Sequence, residues 1–394
     1  MRITLVDRHN HHLFQPLLYQ VATAGLSAPD IAAPLRHILR RQANVEVRLA
    51  DVAAIEAGAR RLRLADGSGI DFDFLLLATG ATHAYFGHDD WEAHAPGLKT
   101  LDDALHLRRR LLMAFERAEA EADPARRKAL LEFAIIGGGP TGVELAGTLA
   151  EIARHTLRRE FRRIDPAQAR VRLVEAGPRV LPAFPESLSA KARRQLERLG
   201  VEVATGTPVT RITAEGYWLG EQFVPAGTVV WAAGVAASPL ARSLGVPLDR
   251  AGRVPVAPDL SVPGHPEVFV AGDLAAVVQD GRPVPGVAPA AKQMGRHVAL
   301  VIKARLRGST APAFRYRDFG NLATIGRMAA VVDFGRLRFS GLPAWWFWLG
   351  AHVFFLIGFR NRLVVLLNWF WAYWSYQRGA RIILGKDEGK PDIS

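Results

Sequence analysis

Three glycines at GxGxxG spacing, Gly137, Gly139 and Gly142, lie inside the stretch EFAIIGGGPTGVELAG that runs from Glu132 to Gly147. In such a pattern the first glycine permits a tight turn, the second lets a pyrophosphate approach the backbone, and the third lets a helix pack on a strand. The helix that follows offers unpaired N–H groups and the positive end of its dipole to phosphate. The spacing gains meaning from its context. Phe133 to Ile136 reads as a buried strand, Val143 to Ile152 as a helix, and a second strand, Val171 to Val174, ends in the acid Glu175. An acid in that position can hold both hydroxyls of an adenosine ribose and repels a 2′-phosphate, which favours NAD over NADP, with Arg179 close by as the opposing charge.

Other residues repeat the plan. Arg2 to Val6 alternates as a strand and ends in Asp7, but the strand, glycine turn and helix that should precede such an acid are not in front of it. A start placed too late and a shortened form both account for this. Phe72 to Leu77 runs into Ala78-Thr79-Gly80, and Val229 to Trp231 runs into Ala232-Ala233-Gly234, which together suggest an internal duplication of a nucleotide-binding unit. The stretch VFVAGD ends in Asp273, a carboxylate placed either to accept from a ribityl or ribose hydroxyl or to cap the segment from Leu274. Asn10 to Gln20 is expected to be a loop around Pro16, whose aromatic and amide groups either line a flat ring such as a flavin or pack Phe14 and Leu17 inward.

The elements that must position these residues are bounded by composition. A chain of 394 residues with 49% hydrophobic content can bury two cores, so two or three domains are expected. The net charge of +12 is spread over many helices and no nucleic-acid motif appears; solvated helix faces and attraction to anionic lipid or to an anionic dinucleotide both explain it. Cysteine is absent, which removes disulfides, thiolate metal sites and thiol nucleophiles, and no metal site is expected. No charged n-region and apolar h-region open the chain, so export is not expected. Leu101 to Ala122, Leu188 to Leu199 and Pro289 to Leu306 read as helices, the last with Lys292, Gln293 and His297 on successive turns.

The C-terminal part changes character. Leu342 to Phe359 is apolar apart from His352, a second apolar run follows from Leu363 to Tyr376, and six of the nine tryptophans fall between Trp345 and Trp374. Tryptophan favours the membrane interface. The first run is just long enough to span a bilayer and the second too short, whereas Asn361, Asn368 and Ser375 at heptad spacing, with Arg378 and Arg381 beyond, predict a helix lying in the headgroups. Monotopic binding is favoured over spanning, and a soluble dimer interface is the third reading.

With strand-acid, ATG, GGGPTGVELAG, WAAG and VAGD in this order, the sequence resembles the two-dinucleotide-domain flavoproteins, and within them the type II NADH:quinone oxidoreductases. The resemblance implies an α/β fold of two interleaved Rossmann-like dinucleotide-binding domains plus a C-terminal membrane-associating helical segment. The FAD-binding domain would comprise residues 1–103 and 251–320, with 104–250 binding NADH and 321–394 the membrane. It further implies FAD and NADH as cofactors, a membrane quinone as acceptor, no proton pumping, and a peripheral place on the cytoplasmic face of the cell membrane, with a homodimer as an option. By resemblance Asp7 holds the FAD ribose, Thr79 and Gly80 form the turn near FAD, Gly234 ends the matching turn, Asp273 contacts the ribityl chain, and Glu144 sits near nicotinamide and flavin. On residues alone, Glu144 reads as an acid favouring its helix dipole. The family's quinone-side AQxAxQ pattern keeps only its second glutamine here, Gln293. Without cysteines, the disulfide reductases and sulfide:quinone oxidoreductases of this fold are excluded. A ferredoxin-type reductase and an NAD-binding, membrane-associated remnant with impaired FAD binding are the alternatives.

Overall fold

The computed structural model describes residues 1–375 and 379–383. In chain order the elements used below are β1 (Ile3–Asp7), α1 (Leu18–Ala22), β2 (Val45–Leu49), β3 (Leu75–Leu77), α2 (Leu101–Ala120), β4 (Glu132–Ile136), α3 (Pro140–Glu151), β5 (Arg170–Glu175), α4 (Glu186–Arg198), β6 (Val201–Thr205), β7 (Thr228–Trp231), β8 (His265–Val270), α5 (Ala288–Leu306), β9 (Asn321–Gly326), β10 (Ala329–Asp333), α6 (Leu342–Phe355) and α7 (Phe359–Ser375). The chain divides into two compact units. One comprises Met1–His12, Pro34–Ala84 and Val235–Phe319; the other comprises Leu13–Ala33, Tyr85–Gly234 and Gly320–Ser394.

The second unit is built on a parallel sheet in the order β6-β5-β4-β7. All five residues of β4 are buried, because both faces of the strand are covered. Its alternation decides which core each residue joins. Phe133 and Ile135 pack into a cluster with α2 and α3, while Ala134 and Ile136 join Ile212, Tyr217 and Val224 of a small antiparallel sheet on the other face. At the end of the sheet away from the glycines, Arg170 and Arg172 bridge Glu132 and Glu202. Helix α2 begins at a capping box, with the Asp103 amide donating to Thr100 Oγ1 at 3.1 Å and the Thr100 amide to Asp103 at 2.8 Å. The stretch expected as a loop before Gln20 is helical from Leu18, and Leu17, Leu18, Tyr19 and Val21 are core residues of this unit. The inward-packing alternative therefore holds for Leu17.

In the first unit, β1 and β2 pair in parallel as one sheet and β3 and β8 pair in parallel within another. The boundaries expected at 103 and 250 differ from those observed. Tyr85 to Thr100 stays with the unit that contains α2, where Tyr85 stacks on Trp231 at 5.2 Å, and Val235–Ala237 pairs with Ala81–His83 in the other unit.

The tail is not a separate layer. Ala344, Trp348, Leu356 and Val365 are buried in the core of the second unit, each large aliphatic side chain contributing ~2 kcal/mol. Trp369 Nε1 donates to Gln20 Oε1 at 2.7 Å, and Arg362 donates to Phe354 O near the end of α6 and to Leu356 O just beyond it. Helix α6 has 14 residues and α7 has 17, and no described helix is long and apolar enough to cross a membrane. The expected polar stripe is corrected at Asn368, whose amide turns to Asp30 at 3.4 Å. Arg381 is taken by Glu160. Arg378 and the side chain of Ser375 lie outside the described residues. What α6 and α7 present outward is apolar: Phe354 is 69% exposed, Phe370 62% and Trp374 74%.

Candidate active site

The glycine turn closes as its spacing predicts. Gly137 adopts φ +115°, and a Cβ there would sit 2.6 Å from the Ala232 carbonyl at the end of the neighbouring strand. Gly142 lies on the Gly137 carbonyl, 1.9 Å from where its own Cβ would be, so only glycine lets α3 start this close to β4. Gly139 faces open space, which leaves the backbone approachable from outside. It is also the N-cap of α3, with Pro140 in the first turn where its missing N–H costs nothing. The loop lies at the carboxyl end of the sheet, beside the point where the strand order reverses from β4 to β7, the place where α/β sheets take ligands.

Glu175 ends β5 and spans this loop. Its two carboxylate oxygens accept from the amides of Gly138 at 2.6 Å and Gly177 at 2.7 Å. The carboxylate is thereby fixed at the rim with further lone pairs left to accept from hydroxyls. Arg179, the opposing charge, is turned away: its guanidinium donates to Phe184 O at 2.6 Å and Pro182 O at 2.9 Å. Gly234 closes the same rim. A Cβ on it would lie 2.3 Å from the ring of Phe86, a residue that nothing in the sequence singled out and that packs edge-on to Trp231 at 6.2 Å.

Glu144 sits on α3 but does not serve the helix dipole. Helix α3 is pressed onto β9 at Gly147, whose Cβ would be 1.6 Å from Ile325 O, and that contact seals Glu144 against the hairpin β9–β10. The carboxyl is 9% exposed, and its one described partner is the Thr324 amide at 3.4 Å. Burial pushes its pKa up to about 8, against the smaller opposing pull of that amide. At neutral pH the group is therefore mostly protonated. Thr324 could not have been found by spacing, since it lies 180 residues further along the chain.

The first unit gathers the other predicted residues by strand ends. Leu77 pairs with Val270, and the Ala271 amide donates to Leu77 O at 2.9 Å, so the turn of Thr79 and Gly80 and the turn of Asp273 leave the same end of adjacent strands. Asp273 lies within a helical turn, Gly272–Leu274, and does not cap it. A Cβ on Gly286 would come within 3.2 Å of its Oδ1, so glycine keeps the carboxylate open there. Gly80 likewise has open space around it. The half-buried Asp273 carboxylate, the exposed Thr79 and the open space at Gly80 fit the ribityl and ring side of a flavin. Asp7 ends β1 and accepts from the His9 amide at 2.8 Å. Gln293 on α5 bonds the backbone of Arg317 through both ends of its amide, at 2.9 Å each, so it is not a free donor. His297, one turn on, packs against Phe314 at 5.4 Å, and burial lowers its pKa.

Comparison with known proteins agrees with this geometry. Residues 1–295 match the model of the family described as pyridine nucleotide-disulphide oxidoreductase. The chain is 46% identical over 393 residues to the type II NADH:quinone oxidoreductase Ndh of Mycobacterium tuberculosis, covering 96% of this chain and 84% of that one. It is 30% identical to the type II NADH:quinone oxidoreductase of Staphylococcus haemolyticus, over 85% of this chain and 83% of that one. The solved structure of NDH2 from Plasmodium falciparum in complex with NADH superposes with a TM-score of 0.88 at 18% identity, covering 98% of this chain and 95% of that one. The cysteines behind the word disulphide in the family description are absent here.

Proposed function

The chain belongs to the type II NADH:quinone oxidoreductases of the pyridine nucleotide-disulphide oxidoreductase family, and from that membership we propose that it moves electrons from NADH through FAD to a membrane quinone without pumping protons. The observation that carries the reading is the loop Gly137–Gly142 with Glu175 at its rim, in a chain that matches a curated enzyme of that activity over 96% of its length. Bound FAD supplies two-electron chemistry toward a nicotinamide and electron release toward a quinone.

The protein's own residues bind, orient and hold protons. Gly137, Gly139 and Gly142 receive the NADH pyrophosphate, and Glu175 accepts from its ribose hydroxyls, while the turning away of Arg179 supports NADH over NADPH. Asp7, Thr79, Gly80 and Asp273 would hold the flavin. Quinone reduction takes up protons with electrons, and Glu144, kept neutral by burial, is a proton held inside the unit at physiological pH. Gln293 serves as a lining residue of the quinone side, its amide shared with the Arg317 backbone. The outward aromatic face of α6 and α7 supports peripheral docking on the membrane that carries the quinone, with the cytoplasmic face as the side that faces NADH.

Purified full-length chain tests the reading directly. A yellow preparation that oxidises NADH with a soluble quinone is expected; a colourless preparation that binds NADH without turnover would replace the enzyme with an NAD-binding remnant.

A further inference from the structure

Helix α2 carries Arg108, Arg109 and Arg110 in succession, and the first of these points inward rather than out. Arg108 is 8% exposed, it has no hydrogen bond or ion pair among the described residues, and burial alone acts on its charge, lowering its pKa. Its nitrogens are not among the sealed, unpartnered atoms, so the stem is buried while the guanidinium opens into the space beside α2, where an anion can reach a fork that no side chain of the described residues occupies. Arg108 lines a groove of about 1810 Å³ within the second unit. Arg110 lines it too, with one nitrogen on His94 O at 2.7 Å, and His106 adds a titratable group. Of the acids in the wall, Asp30 already accepts from the amide and hydroxyl of Ser27, at 2.8 and 2.7 Å, and Glu160 is paired with Arg381; Glu116 is exposed on α2. Against these three acids the wall carries Arg108, Arg109, Arg110, Arg117 and Arg381, so five cations face three anions and the groove is net positive.

The other wall supplies the second half of the ligand. Phe161, Trp371 and Ile382 line the groove, Trp371 is 61% exposed and Ile382 62%, and Trp371 belongs to the same outward face of α7 as Phe370 and Trp374. An anion bound at Arg108 thus has an apolar path leading from it to the face assigned to the membrane. Resting on that docking reading, we infer that the groove between α2 and α7 binds the phosphate headgroup of an anionic phospholipid, with Arg108 as a bidentate fork on phosphate oxygens and an acyl chain along Trp371 and Ile382. Arginine suits this role better than lysine because its planar fork matches two phosphate oxygens at once.

Full-length protein is sedimented with vesicles of phosphatidylcholine alone and of phosphatidylcholine mixed with phosphatidylglycerol. Wild type is expected to prefer the mixed vesicles. Arg108→Met, which keeps an apolar stem, should lower binding to mixed vesicles about five- to tenfold and leave phosphatidylcholine binding unchanged. Arg108→Lys should fall between the two, and its retained charge guards the test against a folding defect. If wild type binds neither vesicle, the docking reading fails. If wild type binds both equally and Arg108→Met changes nothing, docking stands and the headgroup site is overturned. Two further results also overturn it: inorganic phosphate that abolishes the preference and stabilises wild type but not Arg108→Met, which makes free phosphate the ligand, and a changed oligomeric state in Arg108→Met, which makes a second copy the occupant.

Discussion

The glycine loop and the C-terminal helices belong to one compact unit and use apolar residues in opposite senses. Around the loop every residue of β4 is buried, and the glycines exist to let backbone meet backbone at Ala232, Gly137 and Ile325. In α6 and α7 one face is buried in the same core, at Trp348, Leu356 and Val365, while Phe354, Phe370 and Trp374 are left in the open. A soluble core explains the first arrangement completely. Outward aromatics of that size on two successive helices form the kind of patch that marks an interaction surface, and they are what the proposed peripheral docking rests on. The two regions also hold titratable groups shifted in opposite directions. Burial raises Glu144 to about 8, whereas His352, tilted against the Trp348 ring at 4.2 Å and bonded to its carbonyl, is lowered to about 4. Each is neutral at physiological pH for the same reason, desolvation.

Gly142→Ala breaks the loop half of the comparison and should have the largest effect. Its Cβ would press on the Gly137 carbonyl, a backbone atom with no room to yield, at a cost of ~3 kcal/mol or about a hundredfold in NADH affinity, as read by titration calorimetry. Glu144→Gln comes next and sharpens the contrast between the shifted groups. Because the folded pKa of Glu144 is raised, the native state binds the extra proton; wild-type stability is full below the ordinary value of 4.5, declines as pH rises, and reaches its low plateau above about 8. The variant removes that decline, and its advantage near pH 9, ~2 kcal/mol after relaxation of the site, should appear in urea unfolding at several pH values. His352 has the opposite sign, its stabilisation being lost as pH falls below the unfolded value of 6.5 toward about 4, so acid unfolding above pH 4 should persist in Glu144→Gln. The smallest effect on stability belongs to the tail: Phe354→Ser with Phe370→Ser should stay within ~0.5 kcal/mol of wild type by thermal unfolding and yet leave the vesicle fraction. A matching loss of stability would mean that these rings are core residues and not a docking face. Truncation after Gly341 cannot ask this question, since it also removes Trp348, Leu356 and Val365 from the core.

The loop was legible because its information is local. Glycines two and three residues apart, an apolar run before them and an acid at the next strand end describe a backbone path that few other residues can follow. The same holds for the two strand-then-turn pairs that end at Gly80 and Gly234. Glu144 reads from sequence as a helix acid, and only the landing of β9 on α3 turns it into a buried, protonated one. Gln293 reads as one residue of a helix face and, by resemblance, as the quinone-side glutamine, and only the fold sets the backbone of Arg317 against its amide. Arg108 is indistinguishable in sequence from Arg109 beside it, because a helix turns neighbouring residues by about 100° and nothing local says which will face a wall.

By itself the sequence determined the order of strands and turns, the dinucleotide loop, the absence of thiol chemistry and the richness of the tail in tryptophan. Each of these depends on residue type and spacing along the chain. The tertiary structure alone decided that the tail shares the core of the second unit, that Asn368 turns inward to Asp30, that Glu144 loses its water and that Arg108 buries its stem. Those outcomes follow from desolvation by segments far apart in the chain, and desolvation is a property of the packed molecule and not of a stretch of residues.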